Sequence, residues 1–245
     1  MSVEQRPVGV AGDALAAALK PFERPNVVLS EGVYTIPTDW LQKGPHGNPY
    51  TYRDQPIWWL GRVYPPEPEK VGNYRPYKVW VPAETKWFEH EDSQGGNPAA
   101  GLGGGLRITV VTEWKGGDRI KPSVLVFQAP EAAEYLVEAE VVSERWCGGG
   151  QCWLELFTLD RASGVAARAR PRIALADRQA ATVSHKTSLA AGQEFAFVYG
   201  ADGWHTGAGL KFNRLTVART DAPRPEKIRN ADPNRANADP AHTPK

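Results

Sequence analysis

The sequence has few cysteines, almost no net charge, no long apolar run and none of the common catalytic signatures. Two cysteines in 245 residues exclude the cysteine-dense framework of small secreted scaffolds. With no second Cys/His cluster nearby, they also exclude a zinc finger. Lys and Arg number 29 against 28 Asp and Glu, a formal charge of +1. Such a chain has no overall field to draw in nucleic acid or an anionic membrane, so neither is expected as a partner. No stretch reaches the roughly 18 apolar residues of a membrane-spanning helix, so no membrane insertion is expected. The start, MSVEQRPVGVAGDALAAALKPF, does not read as a cleaved leader. Its apolar part is short, Asp13 precedes it, and no basic segment leads in.

Catalytic patterns are also missing. The histidines His46, His90, His185, His205 and His242 are scattered, without H-E-x-x-H spacing. Ser184 and His185 are neighbours, so on a strand they point to opposite faces and cannot pair. The glycine-rich stretch EDSQGGNPAAGLGGG lacks the lysine and following helix of a phosphate loop. No G-x-S-x-G elbow occurs. The reading leans away from an enzyme. No cofactor is expected, and no Asp/Glu cluster supports a structural calcium.

What is present is turn chemistry and aromatic, alternating runs. Gly 24, Pro 21 and 10% aromatics, with few helix-forming stretches, indicate an all-β protein. At this length it buries roughly 70–75% of its unfolded surface. Strands are expected over 57–64, 77–81, 106–114, 123–128, 135–143, 153–159, 181–189, 195–199 and 210–217, with short ones on either side of Glu31-Gly32. In 135–143 the residues Tyr135, Val137, Ala139 and Val141 share one face and Leu136, Glu138 and Glu140 the other, a half-buried antiparallel strand. Glu138 and Glu140 are about 7 Å apart by strand rise, but on a solvent face they read as solubilising. Trp58 and Trp59 must point oppositely, one to the core and the other outward or under a loop. The segment ASGVAARARPR reads as a basic, solvated loop, with contact of Arg161, Arg168, Arg170 and Arg172 to an anion as the alternative.

The turn Trp146-Cys147-Gly148-Gly149-Gly150-Gln151-Cys152-Trp153 joins two of these runs. Read as a hairpin, it sets Cys147 opposite Cys152 within bridging distance, its glycines supplying the tight loop. A disulfide is the favoured reading, with two free thiols or half of a metal site as alternatives; so short a loop contributes about 2 kcal/mol.

Three regions follow. Residues 1–25 form an arm with a short helix from Ala14 to Lys20, capped by Asp13 and ended by Pro21. Residues 26–219 form the β domain, with long aromatic- and proline-rich loops. Residues 220–245, polar and without apolar period, form a disordered or clamped tail.

From Pro122 to Ala218 the layout resembles the jelly-roll β-sandwich of galactose-binding-like, carbohydrate-binding modules. Three blocks carry the resemblance: VLVFQAPEAAEY, LAAGQEFAFVYG and GADGWHTGAGLKFNRLTV. It implies an antiparallel jelly-roll-like sandwich and a non-catalytic module that binds glycans or other proteins. Indoles present a large amphipathic surface suited to either. The ligand-binding candidates are Trp204 and His205 in the loop after Gly200, with Trp59 and Tyr199. The first functional expectation is a glycan-binding module. The alternative is an assembly protein of a virion, surface layer or filament, whose arm and tail clamp neighbouring subunits, with a homo-oligomer implied. Both place the chain outside the cell or on a surface or particle.

Overall fold

Alternation of apolar and polar residues sorts the chain into two large antiparallel sheets, beside a small two-stranded one. The structure, a computed structural model, describes residues 32–36, 50–52, 55–77, 79–81, 86–88, 100–101, 106–112, 120–144, 151–202 and 208–223. In chain order the strands are β1 (Val33–Ile36), β2 (Tyr50–Tyr52), β3 (Gln55–Val63), β4 (Tyr74–Pro76), β5 (Val79–Val81), β6 (Lys86–Phe88), β7 (Ala100–Gly101), β8 (Leu106–Thr109) and β9 (Val111–Thr112). They continue as β10 (Ile120–Lys121), β11 (Ser123–Gln128), β12 (Ala133–Glu144), β13 (Cys152–Asp160), β14 (Val165–Leu175), β15 (Ala180–Leu189), β16 (Glu194–Ala201) and β17 (Gly209–Arg219).

The first sheet has the order β15-β12-β17-β8-β7-β6-β5, with β1 also against β17. The second has the order β14-β13-β16-β11-β3-β2, with β4 on β3. From β11 onward the chain passes back and forth between the sheets, the course of a jelly-roll β-sandwich. Among the described residues no helix is long and apolar enough to cross a membrane.

The inner faces of the two sheets form one core. On β12 the side chains of Tyr135, Val137, Ala139 and Val141 are buried while Glu134, Glu138 and Glu140 are exposed, as the alternation requires. Phe127 is the hub of an aromatic cluster, with ring centroids 5.4 Å from Tyr34, 5.1 Å from Trp58 and 5.5 Å from Tyr135. Phe195, Phe197 and Phe212 continue it in edge contacts at 5.4 and 5.8 Å. Tilted and edge geometries suit the ring quadrupole and contribute about 0.5–1.5 kcal/mol per pair beyond burial. Phe212 and Leu215, three residues apart, both face the core. The register shift opposite Glu140 and Val141 makes this possible, because a bulge inserts the extra residue.

The structure corrects several expectations. The cysteine turn is not a hairpin: β12 pairs with β15 and β17, whereas β13 pairs with β14 and β16. The turn therefore crosses from one sheet to the other at the end of the sandwich. Cys152 opens β13 buried in the core and is not a free thiol; Cys147 lies outside the described residues. The basic segment is not a loop but most of β14, paired along β13. The strand expected over 106–114 breaks at Val110, whose amide donates to Ala208 O at 2.9 Å, so β9 leaves to pair with β10. The expected helix from Ala14 to Lys20 and the rest of the arm lie outside the described residues. Of the tail, residues 220–223 are described, and Ala222 N–H turns back to Arg219 O at 3.1 Å.

Candidate functional site

β13 explains why the outer face of the second sheet is not simply solvated. Its residues Cys152, Leu154 and Leu156 enter the main core, and Trp153, Phe157 and Leu159 point the other way yet are also buried. They join Trp59 and Val63 of β3, Val124 and Val126 of β11, and Ala196 and Val198 of β16 in a second apolar layer. The segment between β3 and β4 covers part of it. Val71 and Tyr74 pack onto the layer, and Tyr74 Oη donates to Pro68 O at 2.8 Å. Burial is the chief cause that holds the Tyr74 phenol far above its ordinary range, with Glu69, Glu155 and Glu194 adding to it.

Two similar constellations top this layer. Trp59 Nε1 donates to Glu194 Oε1 at 3.0 Å, Arg161 Nε donates to Glu194 Oε2 at 2.9 Å, and the Arg161 guanidinium lies 5.6 Å from the Trp59 ring centroid. Trp153 Nε1 donates to Asp202 Oδ1 at 3.0 Å, Arg172 Nη1 reaches the same oxygen at 3.4 Å, and Arg172 lies 4.2 Å above the Trp153 ring. In each case one carboxylate holds both the indole N–H and the arginine stacked on that indole. Only a glycine fits beneath Trp153: a Cβ on Gly200 would sit 2.2 Å from its Cζ2. The indole therefore lies flat on the sheet backbone.

Glu155 joins Arg172 to Arg168. It is fully buried, and its Oε1 accepts from Arg172 Nε at 2.9 Å and Arg168 Nη2 at 3.2 Å. Its Oε2 has no hydrogen-bond partner among the described residues. Arg168 also pairs with Glu69 at 2.9 Å and lies 5.6 Å from the Phe157 ring. Three guanidiniums thus lie over one apolar layer, each backed by an aromatic ring and fixed by carboxylates. Their side chains remain 44–47% exposed. Of the five N–H donors on Arg172, two have partners among the described residues. The face therefore offers oriented donors to solvent while its aromatic planes are already occupied.

Two of the sequence-derived ligand residues do not present surfaces. Trp59 is 3% exposed beneath Arg161, because β3 is an interior strand and the outer layer closes over it. Tyr199 is wholly buried between the sheets, where its Oη donates to Gly209 O at 3.2 Å. Its phenol is pushed up to about 12, chiefly by desolvation. Trp204 and His205 lie outside the described residues, between Asp202 of the second constellation and Ala208. Glu138 and Glu140 are exposed on the far face of the other sheet. Among the described residues no group of His, Cys, Asp or Glu could hold a metal ion.

Sequence reasoning weighed Arg161, Arg168 and Arg172 as anion contacts but set them aside as members of a solvated loop. The two-residue spacing of Arg168, Arg170 and Arg172 was a signal, since on a strand it places them on one face. It was incomplete, because register shifts along β13 interrupt the pairing with β14. Arg168 and Arg172 meet at Glu155, whereas Arg170 acts on His185 of the other sheet.

No protein-family model matches the chain, and no curated protein matches it. Among solved structures, a xylan-binding module, CBM15, is similar over 54% of this chain and 88% of its own, at 8% identity and a TM-score of 0.34. A family 16 carbohydrate-binding module is similar over 53% and 82%, at 12% identity and a TM-score of 0.30. The N-terminal modules of endo-1,4-beta-D-xylanase 10B of Clostridium thermocellum, complexed with xylohexaose, are similar over 46% of this chain. There the identity is 11%, the TM-score 0.28, and the chain spans about a quarter (24%) of that structure.

Proposed function

We propose that the protein is a non-catalytic glycan-binding module and that the face carrying Arg161, Arg168 and Arg172 holds the sugar. The observation that carries this reading is the row of half-exposed guanidiniums, each fixed by an aromatic ring behind it and a carboxylate beside it. Sugar hydroxyls need oriented donors and acceptors, and a planar guanidinium already locked in place loses little entropy on binding. Glu155 and Glu194 serve here as positioning groups, since each is committed to arginine rather than free to attack or protonate a glycosidic oxygen. In this reading Trp204 and His205, which follow Asp202 in sequence, remain candidates to contact the ligand. Residues 26–219 are the folded module, and the chain works outside the cell or at a surface, where a Cys147–Cys152 disulfide persists.

Isothermal titration against a panel of xylans, β-glucans, mannans and pectins tests the proposal. Wild type is expected to bind at least one of them, and Arg172→Ala to weaken that binding about tenfold or more, the loss of one charge-assisted contact. Trp204→Ala is expected to do likewise, and Glu138→Gln, on the opposite side of the sandwich, to leave it unchanged. No binding across the panel, or equal binding by Arg172→Ala, overturns the assignment.

A further inference from the structure

The arginines of the outer face are already matched in charge. Arg161 pairs with Glu194, Arg168 with Glu69 and Glu155, and Arg172 with Glu155 and Asp202, at 2.9–3.4 Å. Four carboxylates thus meet three guanidiniums, and the face offers no uncompensated positive charge. Building on the glycan reading, we propose that its ligand is an uncharged polysaccharide, gripped by its hydroxyl groups at the guanidinium edges, and that acidic sugars are excluded.

A uronate carboxylate loses its hydration on binding and needs an arginine whose charge is free to replace it. None is free here. Glu155 is fully buried and Glu194 nearly so, which leaves neither any room to withdraw from its arginine. A further carboxylate beside them would meet like charge. After burial, the charges of Glu69, Glu155 and Glu194 add to the rise of the Tyr74 phenol, so three of the four already act on one side chain beneath the face. A hydroxyl needs no net charge. It both donates and accepts, and the face supplies both halves. Arg161 spends only Nε on Glu194, so its two terminal amino groups have no partner among the described residues. Glu69 uses Oε1 on Arg168 and is 58% exposed, which leaves Oε2 as an acceptor at the rim. The rings beneath cannot serve as stacking platforms, because Trp59, Trp153 and Phe157 are all buried under their guanidiniums.

Calorimetric titration of the full-length protein tests this, with cello-, xylo- and manno-oligosaccharides and with oligogalacturonate, each at about 0.05 and about 0.5 M sodium chloride. At least one neutral sugar is expected to bind, its affinity changing less than about twofold between the two salts, because no net charge is transferred. Oligogalacturonate is expected to bind at least about tenfold more weakly than that sugar. Glu69→Lys adds positive charge beside Arg168 at an exposed position. It is expected to improve oligogalacturonate binding at least about fivefold, and high salt to remove the gain. No binding to any of the four sugars overturns the glycan reading and the charge assignment together. Three results leave the glycan reading standing and overturn the charge assignment alone. They are oligogalacturonate bound as tightly as the best neutral sugar, a neutral affinity that falls about tenfold with salt, and a Glu69→Lys variant that holds oligogalacturonate no better than wild type.

Discussion

Substituting Gly200 by alanine tests the architecture of the arginine row most directly. The added methyl would lie 2.2, 2.5 and 2.7 Å from three atoms of the Trp153 indole, where carbon atoms normally rest about 3.5–4.0 Å apart. The ring must therefore move by more than 1 Å, on the order of the overlap. Moving it breaks the Trp153 Nε1 bond to Asp202 and unseats Arg172 from the indole. Overpacking costs about 1–3 kcal/mol, the hydrogen bond about 0.5–1.5 and the cation–π contact about 0.5–1, together about 2–5.5 kcal/mol. Urea unfolding followed by circular dichroism measures the loss. A double-mutant cycle with Trp153→Leu, which removes the obstructing ring, is expected to show a coupling of at least about 1 kcal/mol. A cost for Gly200→Ala below about 0.5 kcal/mol, or strict additivity with Trp153→Leu, would refute the reasoning.

Three further outcomes are expected. Glu155→Ala leaves Arg168 and Arg172 without their shared carboxylate; because both guanidiniums are half-exposed and rehydrate, the loss should be about 1–3 kcal/mol rather than the 3–5 of a fully buried pair. Unchanged unfolding in urea would show that Glu155 does not tie the row together. His185 stacks on Phe195 at 5.7 Å, and desolvation followed by Arg170 holds its imidazole below the usual 6.5. The unfolded chain then binds the proton more readily, so stability is fully present above about pH 6.5 and falls as the pH drops toward the folded value. An NMR titration midpoint for His185 at or above 6.5 would contradict this. Finally, alkylation without reductant should leave the intact mass unchanged, and reduction should expose both cysteines to the reagent; adducts before reduction would exclude a Cys147–Cys152 bond.

Much of the architecture is legible in the chain because a strand repeats every two residues. The alternation in Tyr135–Val141 identifies the buried face of β12, and the adjacency of Trp58 and Trp59 implies one ring on each side of β3. Both rings are found so placed. The turn around Gly192 is also readable: its φ of +78° and the Gln193 N–H to Ala190 O bond are what an Ala-Ala-Gly-Gln sequence supplies between two strands. Periodicity assigns residues to a face, but it does not say what that face meets. Trp59 and Tyr199 were read as ligand contacts, yet one lies under an arginine and the other in the core. The arginines of β14 were read as solvated, yet their stems and planes cover an apolar layer while their polar edges remain in water, as long amphipathic side chains can.

By itself, then, the sequence determined the strands, their alternation and the all-β class, since those follow from local spacing and turn residues. Only the tertiary structure decided that the cysteine turn crosses between sheets rather than closing a hairpin. It alone placed Arg161, Arg168 and Arg172 over Trp59, Phe157 and Trp153 of one apolar layer. Strand order within the sheet lets side chains as far apart in the chain as Trp59 and Glu194 meet in a hydrogen bond, and no local pattern encodes a contact across that separation.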